Sequence, residues 1–369
     1  MMIILRLMMW FGLYLLGISH AISADINESV WERTMARMLY NAEKIEEKIA
    51  KSNQLYQDET MIKYLEGILE KLYPKFYDMM KVRIILSTEL NAFVLTNGTI
   101  YFNLGLLAAA ENEAQIASIL AHEGAHVVSG HTLRSQQDTK FIAQDQATFG
   151  YRVDDSLEIL SLYSIDLEMD ADEEGFKRLL AVGYDPNEAA NIFNRIKESI
   201  EALGIEKSSM FKTHPDLLNR AKRFKEKHRG TTGIVEAKPY LQRTAKLRLL
   251  NYQLELSKYQ YKTVLLALQD DNKIDAYTPE AWFYLGEAYR LRNEKGDLNK
   301  AKDAYIMAVK KAPAFSASYR ALGLLDYKGN QLKQASKNFE KYLNLSPTAA
   351  DSAYIKQYLQ NINNTRIEQ

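Results

Sequence analysis

Apolar and polar positions in the first part of the chain follow two different periods. Apolar residues recur every three or four positions across residues 30–73, which predicts amphipathic helix. Residues 81–86 and 92–102 instead have the pattern of β-strands. Asn97-Gly98 divides the second stretch and is a strong signal for a two-residue hairpin turn. The pattern therefore predicts helical structure around one small β-sheet.

Helical periodicity returns downstream of the predicted hairpin. Asn112-Glu113-Ala114-Gln115 has the form of a capping box, so a helix should begin near Asn112 and continue through His122. A second helix is predicted over residues 156–180, with Gly183 after its end. The helical pattern resumes over residues 186–227 and is interrupted by Thr213-His214-Pro215.

Residues 229–238 contain a glycine and threonine cluster without periodicity and predict a linker. Beyond it, two segments fit the tetratricopeptide pattern of roughly 34 residues, in which small residues let paired helices approach and aromatic residues fill the gaps. Since two repeats are too few for a stable stack, residues 240–268 should supply a degenerate repeat and residues 349–362 a capping helix. Asp326 departs from the pattern, because an aromatic residue is expected there. The matching positions are Trp282, Leu285, Gly286, Tyr289, Ala301, Tyr305, Ala308 and Pro313, then Tyr319, Leu322, Gly323, Ala335, Phe339, Tyr342 and Pro347.

The N-terminus predicts export. Residues 1–18 are almost wholly apolar, with Arg6 as their only charge, and small residues and then polar ones follow. This order is typical of a signal peptide over residues 1–24, cleaved after Ala21, Ser23 or Ala24. An uncleaved membrane anchor is the alternative, since about 18 apolar residues can just span a bilayer. We expect a bacterial periplasmic protein whose membrane contact is at most peripheral.

Composition and charge narrow the function. The 369 residues suffice for two domains, and 47 basic against 47 acidic residues give no sign of a nucleic-acid-binding surface. The chain has no cysteine, so disulfides, thiolate metal ligands and a cysteine nucleophile are excluded. A metal site must therefore be built from histidines and carboxylates.

The most specific chemical signal is Ala121-His122-Glu123-Gly124-Ala125-His126. On a helix, His122 and His126 lie one turn apart on one face, so both imidazoles can bind one metal ion. Glu123 projects to the side, where it can contact a water molecule. The alternative is a helix with two hydrogen-bonded histidines and a surface glutamate.

A catalytic zinc ion needs a third protein ligand and leaves one position for water. The metzincin pattern would place a third histidine at position 132, which is Thr132. His131 would lie roughly 180° from His122 around a continuous helix, so we expect it at the surface. A carboxylate from a second helix is the other source, and Glu168 and Asp172 share one helical face.

The HExxH helix changes the interpretation of that acidic stretch. By itself it would be typical of a solvated face, but beside two metal-binding histidines it offers the missing ligand. We therefore expect His122, His126 and Glu168 to hold one zinc ion per chain. Asp172 is then free to bond a ligating histidine.

The HExxH and ExxxD motifs together resemble the gluzincin-type peptidases that include HtpX and the CAAX-prenyl endoproteases. The resemblance covers residues from about 53 to 223, including Asn91-Ala92-Phe93, the acidic approach to His122, and Thr213-His214-Pro215 with Arg220 downstream. It implies a mostly α, zincin-like peptidase domain with a small β-sheet over residues 25–228. An all-α tetratricopeptide-repeat solenoid over residues 239–369 would follow it.

The resemblance also implies roles for the site residues. Glu123 would take a proton from water and pass it to the leaving amine. Asp172 would orient a zinc ligand or act as a proton donor. His214 would lie close to the metal, where it either stabilises the oxyanion or fills the fourth metal position and holds the enzyme off. Alternatively, Thr213 and Pro215 simply begin a helix and His214 is incidental.

Members of this family that carry a signal peptide and repeats act in the periplasm on outer-membrane proteins, as peptidase and as chaperone. We therefore expect a zinc-dependent endopeptidase that hydrolyses misfolded or unassembled exported proteins. Its repeats would bind a protein partner in the outer-membrane assembly machinery, and the hairpin of residues 93–102 would pair with an extended substrate. The competing functions are a chaperone or scaffold with a structural or latched zinc site, and cleavage of a few dedicated peptides. An intact Glu123 favours the endopeptidase over the chaperone or scaffold, because a structural site has no use for a general base.

Overall fold

The computed structural model of the protein describes residues 28–132, 163–203, 214, 216–227, 230–268 and 278–367. The predicted signal peptide, residue 156, Thr213 and Pro215 lie outside these residues. The helix predicted from residue 156 begins at Ile165, where Ser164 caps it. The chain divides into two compact units, Met1–Leu247 and Arg248–Gln369.

The first unit is mostly helical. The periodic stretch of residues 30–73 forms two helices, because Asn53 adopts a left-handed conformation with φ of 55° and Asp58 caps the next helix by accepting a 3.0 Å hydrogen bond from the Met61 amide. The described helices are α1 (Glu28–Lys51), α2 (Glu59–Leu72), α3 (Leu104–Ala109), α4 (Glu113–Val128), α5 (Ile165–Val182), α6 (Asn187–Leu203), α7 (Leu217–Lys227) and α8 (Ala237–Arg243).

A three-stranded sheet lies beside these helices, with strands β1 (Lys81–Ile85), β2 (Ala92–Val94) and β3 (Thr99–Asn103). Its order is β1-β3-β2, with β1 parallel and β2 antiparallel to β3. The predicted two-residue turn is wrong in detail. The Gly98 amide bonds the Leu95 carbonyl at 2.9 Å, so Thr96 and Asn97 are central and Gly98, with φ of 82°, is the left-handed residue after them.

Helix α4 begins as predicted and packs against α5. Asn112 caps it by accepting a 2.9 Å hydrogen bond from the Gln115 amide. A Cβ atom at Gly175 of α5 would lie 2.9 Å from the Ala121 carbonyl group of α4. Glycine there lets the two backbones approach closely, which places α5 directly against the HExxH segment.

The segment predicted as a linker carries backbone pairing that its lack of periodicity did not indicate. Ile234 forms a parallel bridge with Tyr184, through hydrogen bonds of 2.9 Å to the Gly183 carbonyl and 3.0 Å from the Asp185 amide. A Cβ atom at Gly233 would lie 2.6 Å from this backbone. The domain boundaries at 228, 229, 238 and 239 stay predictions.

The described part of the second unit is helical, and from Tyr261–Leu268 onward each helix packs on the next along the chain. Gly286 and Gly323 each face an aromatic ring of the following helix, Tyr305 and Phe339 respectively. Asp326, where the repeat pattern expects an aromatic residue, is buried and accepts hydrogen bonds from Lys302 at 2.6 Å and Asn338 at 2.8 Å. The helices are α9 (Ala245–Ser257), which crosses the division between the units, α10 (Tyr261–Leu268), α11 (Pro279–Arg292), α12 (Asp297–Lys311), α13 (Ser316–Lys328), α14 (Leu332–Leu345) and α15 (Ser352–Ile367).

The predicted fold class is confirmed: the structure is mostly α with a small sheet, followed by a C-terminal helical region. The assignment of that region to tetratricopeptide repeats stays a prediction. Within the described residues, no helix has both the length and the apolar character needed to cross a bilayer.

Candidate metal centre

Four side chains from three parts of the first unit converge at one buried point. His122 and His126 come from α4, Glu168 from α5, and His214 from the stretch before α7. One nitrogen or oxygen atom of each lies within 4.8 Å of the others, and all four residues are buried. The sequence placed the first three together as ligands and left the role of His214 open between two metal-proximal roles and an incidental one.

The distances between individual atoms show how close together the potential metal-binding nitrogens and oxygens lie. The Nε2 atoms of His122 and His126 are 3.1 Å apart, and Oε1 of Glu168 lies 3.3 Å from Nε2 of His126. Nδ1 of His214 lies 3.3 Å from Nε2 of His122 and 3.2 Å from both carboxylate oxygens of Glu168. Two imidazoles on one helical face plus a carboxylate are donors that suit zinc.

Glu123 lies in the same pocket with an unusual lack of partners. Its side chain is fully buried, and neither carboxylate oxygen has a hydrogen-bond partner among the described residues. Oε1 lies 3.5 Å from Nε2 of His214. Burial raises the pKa of Glu123 above its ordinary value, although the neighbouring His214 and His122 oppose the rise. A buried carboxylate without donors is costly in a purely structural role, so it points to a bound group.

Asp172 lies one turn beyond Glu168 on α5 and faces His122. Its Oδ1 lies 3.1 Å from Nδ1 of His122, although not in the geometry of a straight hydrogen bond. Arg220 of α7 donates two hydrogen bonds of 2.6 Å to the same carboxylate and a further one to Glu168. Burial alone would raise the pKa of Asp172, but the contacts with His122 and Arg220 outweigh it and lower this pKa.

Charge in the pocket is unbalanced. In the protonation state that binds a metal, with histidines neutral and carboxylates ionised, three buried or nearly buried carboxylates, Glu123, Glu168 and Asp172, face the one guanidinium of Arg220, so negative charges exceed positive ones by two. Burial lowers the pKa of His122, yet Glu168 and Asp172 outweigh it and raise this pKa to about 9. A divalent cation among these donors would neutralise the excess, so the residues present fit a zinc ion.

Two residues that the sequence analysis did not assign to the site lie against His126. The ring of Tyr163 stacks on its imidazole, with centroids 3.7 Å apart and planes 17° from parallel. His131, predicted at the surface, is fully buried, and its Nδ1 lies 3.1 Å from Nδ1 of His126. The prediction was wrong because α4 does not continue. It ends at Val128, and Gly130, with φ of 66°, turns the chain back. A glycine just after a predicted helix was the signal that was missed.

Comparison with known proteins agrees with this geometry. Residues 59–228, which include every residue of the site, match the family described as Peptidase family M48. Similar proteins include the mitochondrial metalloendopeptidase OMA1 of Arabidopsis thaliana, 27% identical over 38% of this chain and 30% of that protein. A putative beta-barrel assembly-enhancing protease of Vibrio cholerae is 23% identical over 46% of this chain and 39% of that protein. Metalloprotease YcaL of Escherichia coli is 28% identical over 39% and 61%.

The family match covers the part of the chain that carries the metal centre. The alignments with the first curated relatives span only 30%, 43% and 39% of their lengths. They therefore relate part of this chain to part of each relative, and the activity of the whole relatives does not follow for this protein. The HExxH helix, the Glu168 helix and the sheet all fall within residues 59–228, which are a zinc metalloprotease domain of peptidase family M48.

Proposed function

We propose that this protein is a zinc-dependent endopeptidase. One observation carries the proposal: the carboxylate of Glu123 is buried beside four metal-binding side chains, and neither of its oxygens has a hydrogen-bond partner among the described residues. A structural metal site has no use for such a group, whereas hydrolysis requires a base beside the metal. His122, His126 and Glu168 would hold the zinc, whose chemistry is to acidify water and polarise the peptide carbonyl.

The remaining steps belong to the protein's own side chains. Glu123 would accept a proton from the attacking water on a carboxylate oxygen and deliver it to the nitrogen of the leaving amine. Its lack of other donors leaves both oxygens available for that proton. Since its oxygen lies 3.5 Å from Nε2 of His214, this histidine is well placed to steady the carboxylate.

Asp172 acts as an orienting residue in this proposal. Both of its oxygens accept hydrogen bonds from Arg220, and one of them also lies 3.1 Å from Nδ1 of His122. A carboxylate engaged in this way fixes the ring of a ligand better than it supplies a proton. Proton donation by Asp172 is therefore the less favoured of its two roles.

His214 supports a second candidate function. Its Nε2 lies 3.3 Å from the carbonyl oxygen of Ala92, so Nε2 can carry the proton that is donated to this oxygen. The lone pair on Nδ1 would then point toward the metal-binding atoms of His122 and Glu168. A fourth protein ligand at that position would close the site to water. In this latched form the protein would act as a chaperone or scaffold. When His214 is released, the same imidazole would stabilise the oxyanion.

Strand β2 would receive the substrate. It lies at the edge of the sheet, and Asn91 and Leu95 on either side of it make their backbone bonds to β3. By the alternation of an antiparallel pair, the backbone groups of Ala92 and Val94 face away from β3. An extended peptide can pair with such an edge, which favours cleavage of unfolded segments.

The wider setting is also part of the proposal. A signal peptide over residues 1–24 would deliver the protein to the periplasm, where misfolded or unassembled outer-membrane proteins would be its substrates. The C-terminal helical unit would bind a partner in the assembly machinery and supply chaperone activity. The supports are the N-terminal pattern, the helical pairs, and a relative named for beta-barrel assembly.

Degradation of unfolded casein tests the peptidase proposal. The parent, Glu123→Gln and His214→Ala proteins would be purified, loaded with zinc and assayed in parallel. We expect the parent or the His214 variant to cleave casein and Glu123→Gln to lose at least about 100-fold in rate while still binding zinc. Higher activity in His214→Ala would support the latch. If all three bind zinc and none cleaves, the peptidase proposal fails, and suppression of aggregation by Glu123→Gln would support the chaperone.

A further inference from the structure

His131 connects a metal-binding histidine to an acidic residue on another helix. Its side chain is fully buried, just beyond the turn that ends α4. Nδ1 of His131 lies 3.1 Å from Nδ1 of His126, and its Nε2 lies 2.9 Å from Oδ2 of Asp170 on α5. Asp170 is 61% exposed, so this chain of contacts runs from the surface of the domain to the metal centre.

The groups in contact determine which ring nitrogens carry a proton. A carboxylate of Asp170 can only accept, so the proton between it and His131 is carried on Nε2 of His131. A neutral imidazole protonated at Nε2 has a lone pair on Nδ1, and Nδ1 is the atom that faces His126. The hydrogen bond between the two Nδ1 atoms must then be donated by His126.

The consequence falls on the other nitrogen of His126. With its proton on Nδ1, His126 presents a lone pair on Nε2, which is the atom 3.3 Å from Glu168 and 3.1 Å from Nε2 of His122. His122 has Asp172 at 3.1 Å from its own Nδ1. In each histidine ligand, the ring nitrogen that faces away from the metal thus lies beside an acceptor. The acceptor is the carboxylate of Asp172 for His122 and the imidazole of His131 for His126.

We propose that His131, oriented by Asp170, is a positioning residue that holds His126 in the tautomer and orientation that bind zinc. This inference rests on the zinc site of the proposed function and deepens it. Partners of this kind strengthen metal binding, and their removal weakens it by roughly 10–100-fold. The effect reaches the metal only through His126.

Zinc affinity of the full chain tests the inference without any assay of proteolysis. Competition with a chromophoric chelator would give the Kd for zinc of the parent, His131→Leu and His131→Asn. We expect His131→Leu to raise the Kd by about 10–100-fold. His131→Asn should recover most of this loss, because its amide oxygen can accept the hydrogen bond near the place of Nδ1. A Kd for His131→Leu equal to that of the parent overturns the inference.

A surface pair of variants keeps the test decisive should His131→Leu fail to fold. Asp170→Ala and its control Asp166→Ala lie one turn apart on α5, are both exposed in the parent and remove the same charge. We expect Asp170→Ala to raise the zinc Kd several-fold more than Asp166→Ala. Equal values for the two would contradict the role given to Asp170.

Nitrogen-15 labelling of the six histidines supplies a signature that a packing role would not produce. In the zinc-loaded parent, we expect His131 to carry its proton on Nε2 and His126 to show a protected proton on Nδ1 that becomes exchangeable in His131→Leu. A proton on Nδ1 of His131 would refute the inference. If the parent binds no zinc, the proposed function fails together with it. If the parent binds zinc and the His131 variants match it, only this inference fails.

Discussion

Arg220 binds the carboxylate of Asp172 through bidentate hydrogen bonds, from Nε to Oδ2 and from Nη2 to Oδ1, each 2.6 Å long. Its Nη1 also bonds Glu168. The guanidinium is almost fully buried, so these contacts replace its hydration. One side chain of α7 thereby orders two carboxylates of α5 that face the histidines of α4. Its planar fork suits this task, and lysine could not reproduce it.

Replacing Arg220 by methionine should destabilise the protein strongly. The change leaves Glu168 and Asp172 buried without their cation, which costs about 3–5 kcal/mol. Because a dication also compensates this charge, the loss should be smaller with saturating zinc than with a chelator. Urea unfolding followed by circular dichroism measures both values.

Arg223→Met is the matched control for this prediction. Arg223 lies on the same helix, but its ion pair with Asp216, at 3.3 Å, is half-exposed. Exposed pairs contribute at most about 1 kcal/mol. If Arg220→Met costs no more than Arg223→Met, the guanidinium is not needed to balance the buried carboxylates.

Tyr163 allows the stacking of a ring to be separated from its hydroxyl group. The hydroxyl is buried and has no hydrogen-bond partner among the described residues. Tyr163→Phe should therefore leave the free energy of unfolding unchanged or raise it by about 0.5–1 kcal/mol. Tyr163→Ala removes the ring that stacks on His126 and should cost about 3–5 kcal/mol. A loss above about 1 kcal/mol in Tyr163→Phe would show that the hydroxyl has a partner.

The centre of this site was predictable because its signals are local. Two histidines four residues apart on a helix must share a face, and the same spacing places Glu168 and Asp172 together. The helix start at Asn112 was equally readable, since one side chain caps its own helix. A short range along the chain was enough in each case.

The features around this centre were missed for two different reasons. Arg220 meets Asp172 only after α7 has packed on the domain, and nothing near Arg220 in sequence indicates a buried cation. His131 was misplaced by assuming a continuous helix, although Gly130 was visible. The turn at Gly98 differed by the choice between two closely related hairpin geometries. Tertiary packing decided the place of Arg220, whereas local turn geometry decided the other two outcomes.

Glu255 in the second unit should make stability depend on pH. It is buried on α9, its carboxylate accepts a 2.9 Å hydrogen bond from Thr263, and burial raises its pKa to about 7. The folded pKa lies above the unfolded value of 4.5, so between these values the folded state binds more protons. Protonation of Glu255 therefore raises the free energy of unfolding as pH falls from above 7 towards 4.5. This stabilisation is lost as pH rises again.

Glu255→Gln removes this dependence. The amide keeps an acceptor for Thr263 and can donate to Oδ1 of Asn251, a buried atom that lacks a partner among the described residues. At pH 8 the variant should be about 1–3 kcal/mol more stable than the parent, and the difference should vanish near pH 5. Urea unfolding between pH 5 and 8 measures this. Glu294→Gln, at an exposed position, should show no such trend. A constant difference across pH would contradict the assignment.

Contacts between a glycine and an aromatic ring in the second unit test whether its helical pairs are repeats. A Cβ atom at Gly323 would lie 2.5 Å from the Phe339 ring, and one at Gly286 would overlap the ring of Tyr305. Gly286 precedes its partner by 19 residues and Gly323 by 16, so the first pair of helices has three more residues between glycine and ring than the second. We expect Gly286→Ala and Gly323→Ala each to cost about 1–3 kcal/mol through overpacking. Gly329→Ala, whose Cβ would make ordinary contacts, should be nearly neutral.

A double-mutant cycle shows whether the glycine acts through the facing ring. Phe339→Leu alone should be destabilising, but adding it to Gly323→Ala should recover part of the glycine variant's loss, because the smaller side chain leaves room for the new methyl group. The interaction energy should be about 1 kcal/mol or more, and urea unfolding of the four proteins gives it. Similar interaction energies at Gly286 with Tyr305→Leu would indicate one packing unit used twice. Strict additivity at both sites would mean that neither glycine is there for its ring, and the repeat interpretation would lose its physical basis.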